Sequence, residues 1–373
     1  MVFKTVDLCA GIGGMRRGFE MTGFFQNVVA SEIDPYACKT YKHLYHQDAF
    51  HDLKSESFRK SLEDIPFDVL LAGFPCQTFS RAGKEEGFLN NLKGTIFWYI
   101  TNIISRNRPR AIFLENVDNI VRHNKGETFQ KIIKALEIYL DYKVIGVSRN
   151  LVGELEYSAN NFIRNSKNFG IPQNRPRVYI MAFDRRRYGN EVEYLENCLP
   201  FESEYRIYDD LNDVLEFKAD PQWYMSSGYL ETLEKHKKRQ KSVGNGFGYR
   251  VVNAPGIQHP IAHTLLATGG SGKERNLVYD PQEGIAGRFY PRKKTPLNSK
   301  GIRVMTPREW GKLQGFINYA FVQDGVDYFS FPNGITKTQQ YKLFGNSVTI
   351  PVVETMAEFM LNCFRVLGDV PNG

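Results

Sequence analysis

A chain of 373 residues, 42% hydrophobic and 24% charged, is long enough to bury one large core with an attached lobe, or two cores. No apolar run approaches the length of a membrane span. The opening "MVFKTVDLCAGIGG" lacks a basic segment followed by an apolar core, so neither a membrane-spanning nor a secreted protein is expected. A net charge of +7 favours a polyanionic partner, and five scattered cysteines without metal-ligand spacing suit free thiols in a reducing cytosol, with no metal site.

Taken in chain order, the first half alternates strand and helix signals. "FKTVDL" (3–8) reads as a strand and "GGMRRGFEMTG" (13–23) as a helix closed by glycine. "NVVASE" (27–32) is a second strand, and Pro35 stands at the first turn of the helix after it. "FDVLLAG" (67–73) is continuously apolar, as a strand covered on both faces should be. A helix over 95–107, a strand over 111–116, and a helix over 127–140 with Phe129, Ile132, Ile133, Leu136 and Leu140 on one face come next. Strands at 142–147 and 177–183 complete the series. Strands alternating with helices predict an α/β fold with a doubly wound, mostly parallel sheet.

After Phe183 the periodicity lapses. Residues 184–300 are rich in glycine, asparagine, tyrosine and charge, with short strands joined by glycine turns. Order returns near residue 303, where "TPREWGKLQGF" places Thr306 as a helix cap and Pro307 in the first turn. The last helix aligns Val353, Met356, Phe359, Met360, Cys363 and Leu367. The expected organisation is a large domain over 1–183, a looser β-rich lobe over 184–300, and a segment over 301–373 that returns to the large domain. Two stretches lack acid altogether: Lys235 to Arg250 carries six Lys/Arg, and Arg288 to Arg308 carries seven. Solvated basic faces are common, but two such stretches in one part of the chain point to phosphate contacts.

Four places carry chemistry. "DLCAGIGG" (7–14) is a glycine-rich strand-to-helix turn, where a ligand can approach backbone and the helix offers free N–H groups. Glu32 ends strand two about 20 residues on, placed for ribose hydroxyls. Without a full G-x-G-x-x-G, an adenosine cofactor lacking pyrophosphate fits at least as well as NAD. "GFPCQTFS" (73–80) sets Cys76 behind a proline at the end of a buried strand, and Glu115 ends the following strand in "LENV". A nucleophile and an acid at neighbouring carboxyl ends face one crevice. In "IPQNRPRVYI" (171–180), Arg175 and Arg177 project to the same face of an extended segment, as guanidinium forks suited to an anion or a base carbonyl. In "FGNSVTIPVV" (344–353), Asn346 and Ser347 occupy a glycine turn before the last helix.

These motifs, in this order and across nearly the whole chain, resemble those of the DNA (cytosine-5)-methyltransferases. "GFPCQTFS" is similar to the family's nucleophile motif, "ENV" to its proton-donor motif and "QNRPR" to its paired-arginine motif. "RVMTPREWGKLQGF" and "GNSVTIPV" are similar to its two C-terminal motifs. The resemblance implies a Rossmann-like fold and methyl transfer from S-adenosylmethionine to cytosine C5 in duplex DNA. Cys76 would add to C6 of a flipped-out base, Glu115 would hold a proton on N3, and Arg177, with Arg175 beside it, would bind the O2 edge or the nearby backbone. It implies that Asp7, Ala10, Gly11, Ile12, Gly13 and Gly14 line the cofactor, with Glu32 on ribose, Ile33 over adenine and Asp48 at its amino group. Pro75, Asn346, Ser347 and Val348 would complete the pocket. Gln77, Ser80, Arg81 and Lys84 would belong to a loop closing on DNA. In the lobe over 184–300, the implied target-recognition region, Lys237, Lys238, Arg239, Lys241 and Arg250 would contact it. A bacterial or viral modification enzyme, monomeric and cytoplasmic, with a cognate restriction endonuclease as its candidate partner, is the corresponding setting. Two departures stand out: Cys9 replaces the family's usual phenylalanine, and "HQDAF" matches the usual Gly-Asp-Ile only at Asp48. A tRNA-modifying relative, a catalytically silent DNA-binding homologue and an NAD-dependent oxidoreductase are the competing readings.

Overall fold

A computed structural model of the chain describes residues 2–75, 94–196, 198–203, 205–245, 249–268 and 273–369. The chain divides into two compact units. The first comprises Met1–Asn165, Pro176–Glu202 and Ile350–Gly373, and the second Ser166–Arg175 and Ser203–Thr349.

The first unit is built on a seven-stranded sheet. Strand β1 (Phe3–Leu8) leads to helix α1 (Gly14–Met21), β2 (Phe25–Ser31) and α2 (Pro35–Tyr45). A short helix, α3 (Glu56–Ser61), precedes β3 (Val69–Gly73). Helix α4 (Ile96–Asn107), β4 (Ala111–Val117), α5 (Glu127–Lys134), β5 (Tyr142–Val144), the hairpin β6 (Val147–Arg149) and β7 (Leu155–Tyr157), and β8 (Ile163–Asn165) follow. The order across the sheet is β2-β1-β3-β4-β10-β5, with β8 pairing to β10 (Pro176–Asp184). Strands β1 to β4 pair in parallel, while β10 is antiparallel to β4, β5 and β8. The mostly parallel α/β expectation holds, with β10 as its reversed member.

Continuous apolar runs form these strands because both sheet faces are covered. Ile112 and Leu114 of β4 join Phe97, Ile100 and Ile104 of α4 and Ile132 and Ile133 of α5 in one core. Phe113, pointing the other way, meets Phe19 of α1 at a centroid distance of 5.1 Å. On that side Phe364 of the last helix, α10 (Ile350–Val366), packs on Phe3 and Phe183. Asp34 caps α2 by accepting from the Tyr36 and Ala37 N–H groups, with Pro35 in the first turn as anticipated.

The helix expected over 127–140 runs to Tyr139 with its expected face buried, but it does not keep one pitch. After Lys134 it widens into a π-turn in which Leu140 N–H donates to the Ala135 carbonyl. The wider turn aims buried Glu137 inward, where its carboxylate accepts from Val144 N–H and pairs with Arg185.

The second unit contains β9 (Gln173–Asn174), helix α7 (Ser227–Ser242), β11 (Ala262–His263) paired in parallel with β9, and helices α8 (Pro307–Leu313) and α9 (Lys337–Asn346). A short α6 (Arg185–Tyr188) lies in the first unit. Thr306 caps α8 in a reciprocal box with Glu309. Helical order resumes near 306 because Trp310, Leu313, Tyr341 and Phe344 bury themselves inside this second unit. The return to the first unit therefore comes at Ile350 rather than near residue 301.

Arg303 is fully buried between Asp280 and Glu309, Lys300 pairs with Glu234, and Arg308 with Asp327. Much of the basic run at 288–308 is thus neutralised internally. Among the described residues no ion pair involves the Lys and Arg side chains of 235–250, no helix is long and apolar enough to cross a membrane, and no His/Cys/Asp/Glu cluster could hold a metal.

Candidate active site

The turn after β1 is shaped by three left-handed residues, Cys9, Gly11 and Gly13. At Gly13 a Cβ would sit 2.3 Å from the Tyr45 ring, so only glycine fits; Tyr45 donates its hydroxyl to the Gly13 carbonyl. At Gly11 the Cβ direction is open, and its N–H donates to Glu32 at 2.8 Å. The other Glu32 oxygen accepts from Ile33 and Asp34 N–H at 2.7 and 2.8 Å. Three backbone donors therefore fix the carboxylate at the end of β2, beside open space over Gly11. Ala10 and Ile12 are buried beneath this turn, and Gly14 opens α1.

Ile33 is 60% exposed, and so is Phe50 at 64%; Phe50 lies directly across a parallel bridge from Glu32. Asp48 shares that segment, accepting from Phe50 N–H and pairing with Lys42, which together hold its carboxyl below the usual range. A fixed carboxylate between two exposed apolar side chains and over an open glycine turn fits an adenosine-bearing cofactor. Phe50 went unnoticed in the sequence, although an aromatic beside the expected aspartate was the signal available.

Asp7 does not face this space. It is fully buried, and one oxygen accepts from Arg16 N–H of α1. Burial, against the opposing Arg16 hydrogen bond and charge and with help from Glu32 and Glu20, pushes its carboxyl up to about 7. The native state then keeps a proton that the unfolded chain releases above its ordinary value of 3.8, so stability is lost as pH rises through that window. Asp7→Asn is expected to abolish this loss. Its melting temperature should gain on the wild type between about pH 4 and about pH 7; parallel melting curves would refute the assignment.

The second cluster lies one strand over. Gly73 of β3 pairs with Glu115 of β4 in parallel register, and Arg177 of β10 pairs with Val117. Because β10 runs antiparallel, its first residues lie beside the carboxyl end of β4. Arg177 Nε thus comes within 3.3 Å of Glu115 Oε1, with the side chains 11% and 13% exposed. Buried Asn116 donates to the Phe74 carbonyl at 2.7 Å, tying the end of β4 to the Phe74–Pro75 exit from β3. Asn116 is a positioning residue that sequence reasoning passed over. Cys76, Gln77, Ser80, Arg81 and Lys84 lie outside the described residues.

Among the other cysteines, burial pushes the Cys9 and Cys363 thiols well up and Cys38 up to about 12, so none of these three is readily a thiolate.

Arg175 has a different place from the one expected. Buried within the second unit, its guanidinium donates to the carbonyls of Leu265, Gly345 and Ser347 at 2.9, 3.0 and 2.7 Å. The two arginines part because the chain changes unit between Arg175 and Pro176. Asn346 ends α9 with an exposed side chain, while Ser347 and Val348 are buried in the second unit. Lys237, Lys238, Arg239 and Lys241 project from α7, and Arg250 is exposed as well.

The chain is similar to known proteins along nearly its whole length. The model of the C-5 cytosine-specific DNA methylases matches residues 3–362. The chain is 37% identical to Type II methyltransferase M.HpaII of Haemophilus parainfluenzae over 98% of its own length and 91% of that protein. It is 34% identical to Type II methyltransferase M1.ScrFI of Lactococcus lactis subsp. cremoris, over 96% and 78%. The crystal structure of S. pombe Dnmt2 methyltransferase superposes with a TM-score of 0.64 at 18% identity, covering 96% of this chain and 98% of that one, and so shares the fold. Motif order, sheet topology and full-length matches converge: the chain belongs to the C-5 cytosine-specific DNA methylase family.

Proposed function

We propose that the protein methylates C5 of one cytosine within a short specific sequence of double-stranded DNA, using S-adenosylmethionine and a covalent bond from Cys76 to C6 of a flipped-out base. The observation that carries this reading is the Glu115–Arg177 pair beside the pinned Phe74–Pro75 exit, one residue short of Cys76. Cytosine C5 is a poor nucleophile. Addition of a thiolate at C6 turns the ring into an enamine and makes C5 electron-rich. Charge that builds on the ring during attack is relieved if Glu115 holds a proton at N3, while Arg177 fixes the carboxyl oxygen nearest it.

S-adenosylmethionine, when bound, supplies an electrophilic methyl. Glu32 would hold its ribose, Ile33 and Phe50 would flank its adenine, and the turn at Ala10–Gly13 would accept its amino-acid end. Base removal releases the C5 proton and expels the thiolate, restoring the enzyme. The target ring cannot be reached inside a duplex, hence the extruded base. The Type II names of the relatives support a partner role in restriction–modification, with a cognate endonuclease as counterpart.

Duplex DNA carrying 5-fluorocytosine at the methylated position should trap a covalent protein–DNA adduct in the presence of cofactor, seen as a denaturation-resistant band. Turnover of that substrate without adduct would refute the mechanism. Methyl transfer from labelled cofactor to tRNA but not to duplex DNA would instead reassign the substrate.

A further inference from the structure

The second unit has a cavity of about 410 Å³ between the end of α7 and β11, lined by Lys237, Arg250, His259 and His263 with Ile257 and Ile261. No Asp or Glu lines it among the described residues. Arg250 is exposed and forms no ion pair there; its Nη1 lies 3.4 Å from His263 Nε2. Burial, then the charges of Arg250 and Arg275, lower the His263 pKa, so the ring is neutral near pH 7 and can accept that hydrogen bond. His259 holds a left-handed backbone, an unfavourable conformation for a side-chain-bearing residue.

The wall behind Arg250 is unusually well held. His263 N–H donates to Asn276 Oδ1 at 2.7 Å while Asn276 Nδ2 donates back to the His263 carbonyl. Thr264 donates to the Asn174 carbonyl, Leu265 N–H to Gln173 Oε1, and Arg175 to the Leu265 carbonyl. Such second-layer hydrogen bonding is what a recognition surface needs to hold side chains in register. An arginine fork has donors only, and a neutral imidazole taking one of them leaves the opposite edge free. In the major groove the acceptor pair that matches this edge is guanine O6 with N7. Lys237, 5.1 Å over the Tyr249 ring at the rim, is a point charge suited to phosphate.

We propose that Arg250, oriented by His263, reads a guanine of the target sequence through its major-groove edge, with Lys237 anchoring the adjacent phosphate backbone. This rests on the duplex-DNA reading above and names a specificity determinant within it.

The test is bisulfite sequencing of a duplex library with randomised positions around a cytosine, after treatment with wild type, Arg250→Ala, His263→Ala and Lys237→Ala. Wild type should require a guanine at one position, and Arg250→Ala should lose about 10- to 100-fold of that preference there while keeping the others. His263→Ala should relax the same position less. Lys237→Ala should weaken binding to all sequences alike and lower the salt slope by about one. Arg250→Ala retaining the guanine requirement, or losing affinity uniformly as a phosphate contact would, overturns the assignment. Wild type that methylates no duplex defeats the substrate reading instead. Should Arg250→Ala fail to fold, 7-deazaguanine placed at each guanine of the site in wild-type assays must cost about tenfold at one of them; no loss at any guanine also overturns it.

Discussion

Cys76→Ala should abolish methyl transfer, with a loss on the order of 10⁴-fold or more, while duplex binding survives within a few-fold. In the proposed mechanism, covalent addition at C6 makes C5 nucleophilic, and no neighbouring group stands in for the sulfur. Three of the other described thiols are poorly suited to rescue the variant. Cys9, Cys38 and Cys363 are each disfavoured as thiolates by burial. The measurement is single-turnover transfer of labelled methyl alongside equilibrium binding to the same duplex. Appreciable turnover by the variant would remove Cys76 from the mechanism. Loss of binding together with turnover would leave a structural role. Cys76→Ser is the more informative partner, since it keeps the geometry but exchanges a thiol for a far weaker nucleophile; it should be nearly as inactive.

Much of this site was legible because strands buried on both faces announce themselves as apolar runs, and their carboxyl ends are where ligands collect. Glu32 and Glu115 were found in that way, and the glycine turn at 11–13 through its need for left-handed backbone. What escaped depends on contacts remote in sequence. Arg175 and Arg177 share a parity that implies one face only if the strand is continuous. The chain instead passes from one unit to the other between Arg175 and Pro176. The charge run at 288–308 looked like a nucleic-acid footprint, yet its acids come from Glu234, Asp280, Glu309 and Asp327. Asn116 carries no periodic or compositional mark, and Phe50 only its nearness to Asp48. Their importance comes from what each meets across a strand: the Phe74 carbonyl in one case, Glu32 in the other.

Glu115→Gln is the second large effect expected, a fall in kcat of about 10²- to 10⁴-fold, as for loss of a positioned proton donor. Glutamine keeps the shape and a hydrogen-bonding amide, but it cannot place a proton on N3 as the ring accepts sulfur. The loss should therefore appear in kcat with little change in DNA affinity, and adduct formation with 5-fluorocytosine should slow in proportion. Arg177 meets the same carboxyl at 3.3 Å, and both side chains are nearly sequestered from solvent. A guanidinium in that position favours the ionised carboxyl, so it orients the group while opposing its protonation. Arg177→Gln should then slow the reaction by misplacing the acid and loosening the base, and cost clearly less once Glu115 is already glutamine, when only the base contact is left to lose. The cycle of single and double variants should be strongly non-additive. If the two losses simply multiply, Glu115 and Arg177 act separately, and the pair on which the proton placement depends is only a salt bridge at the end of a sheet.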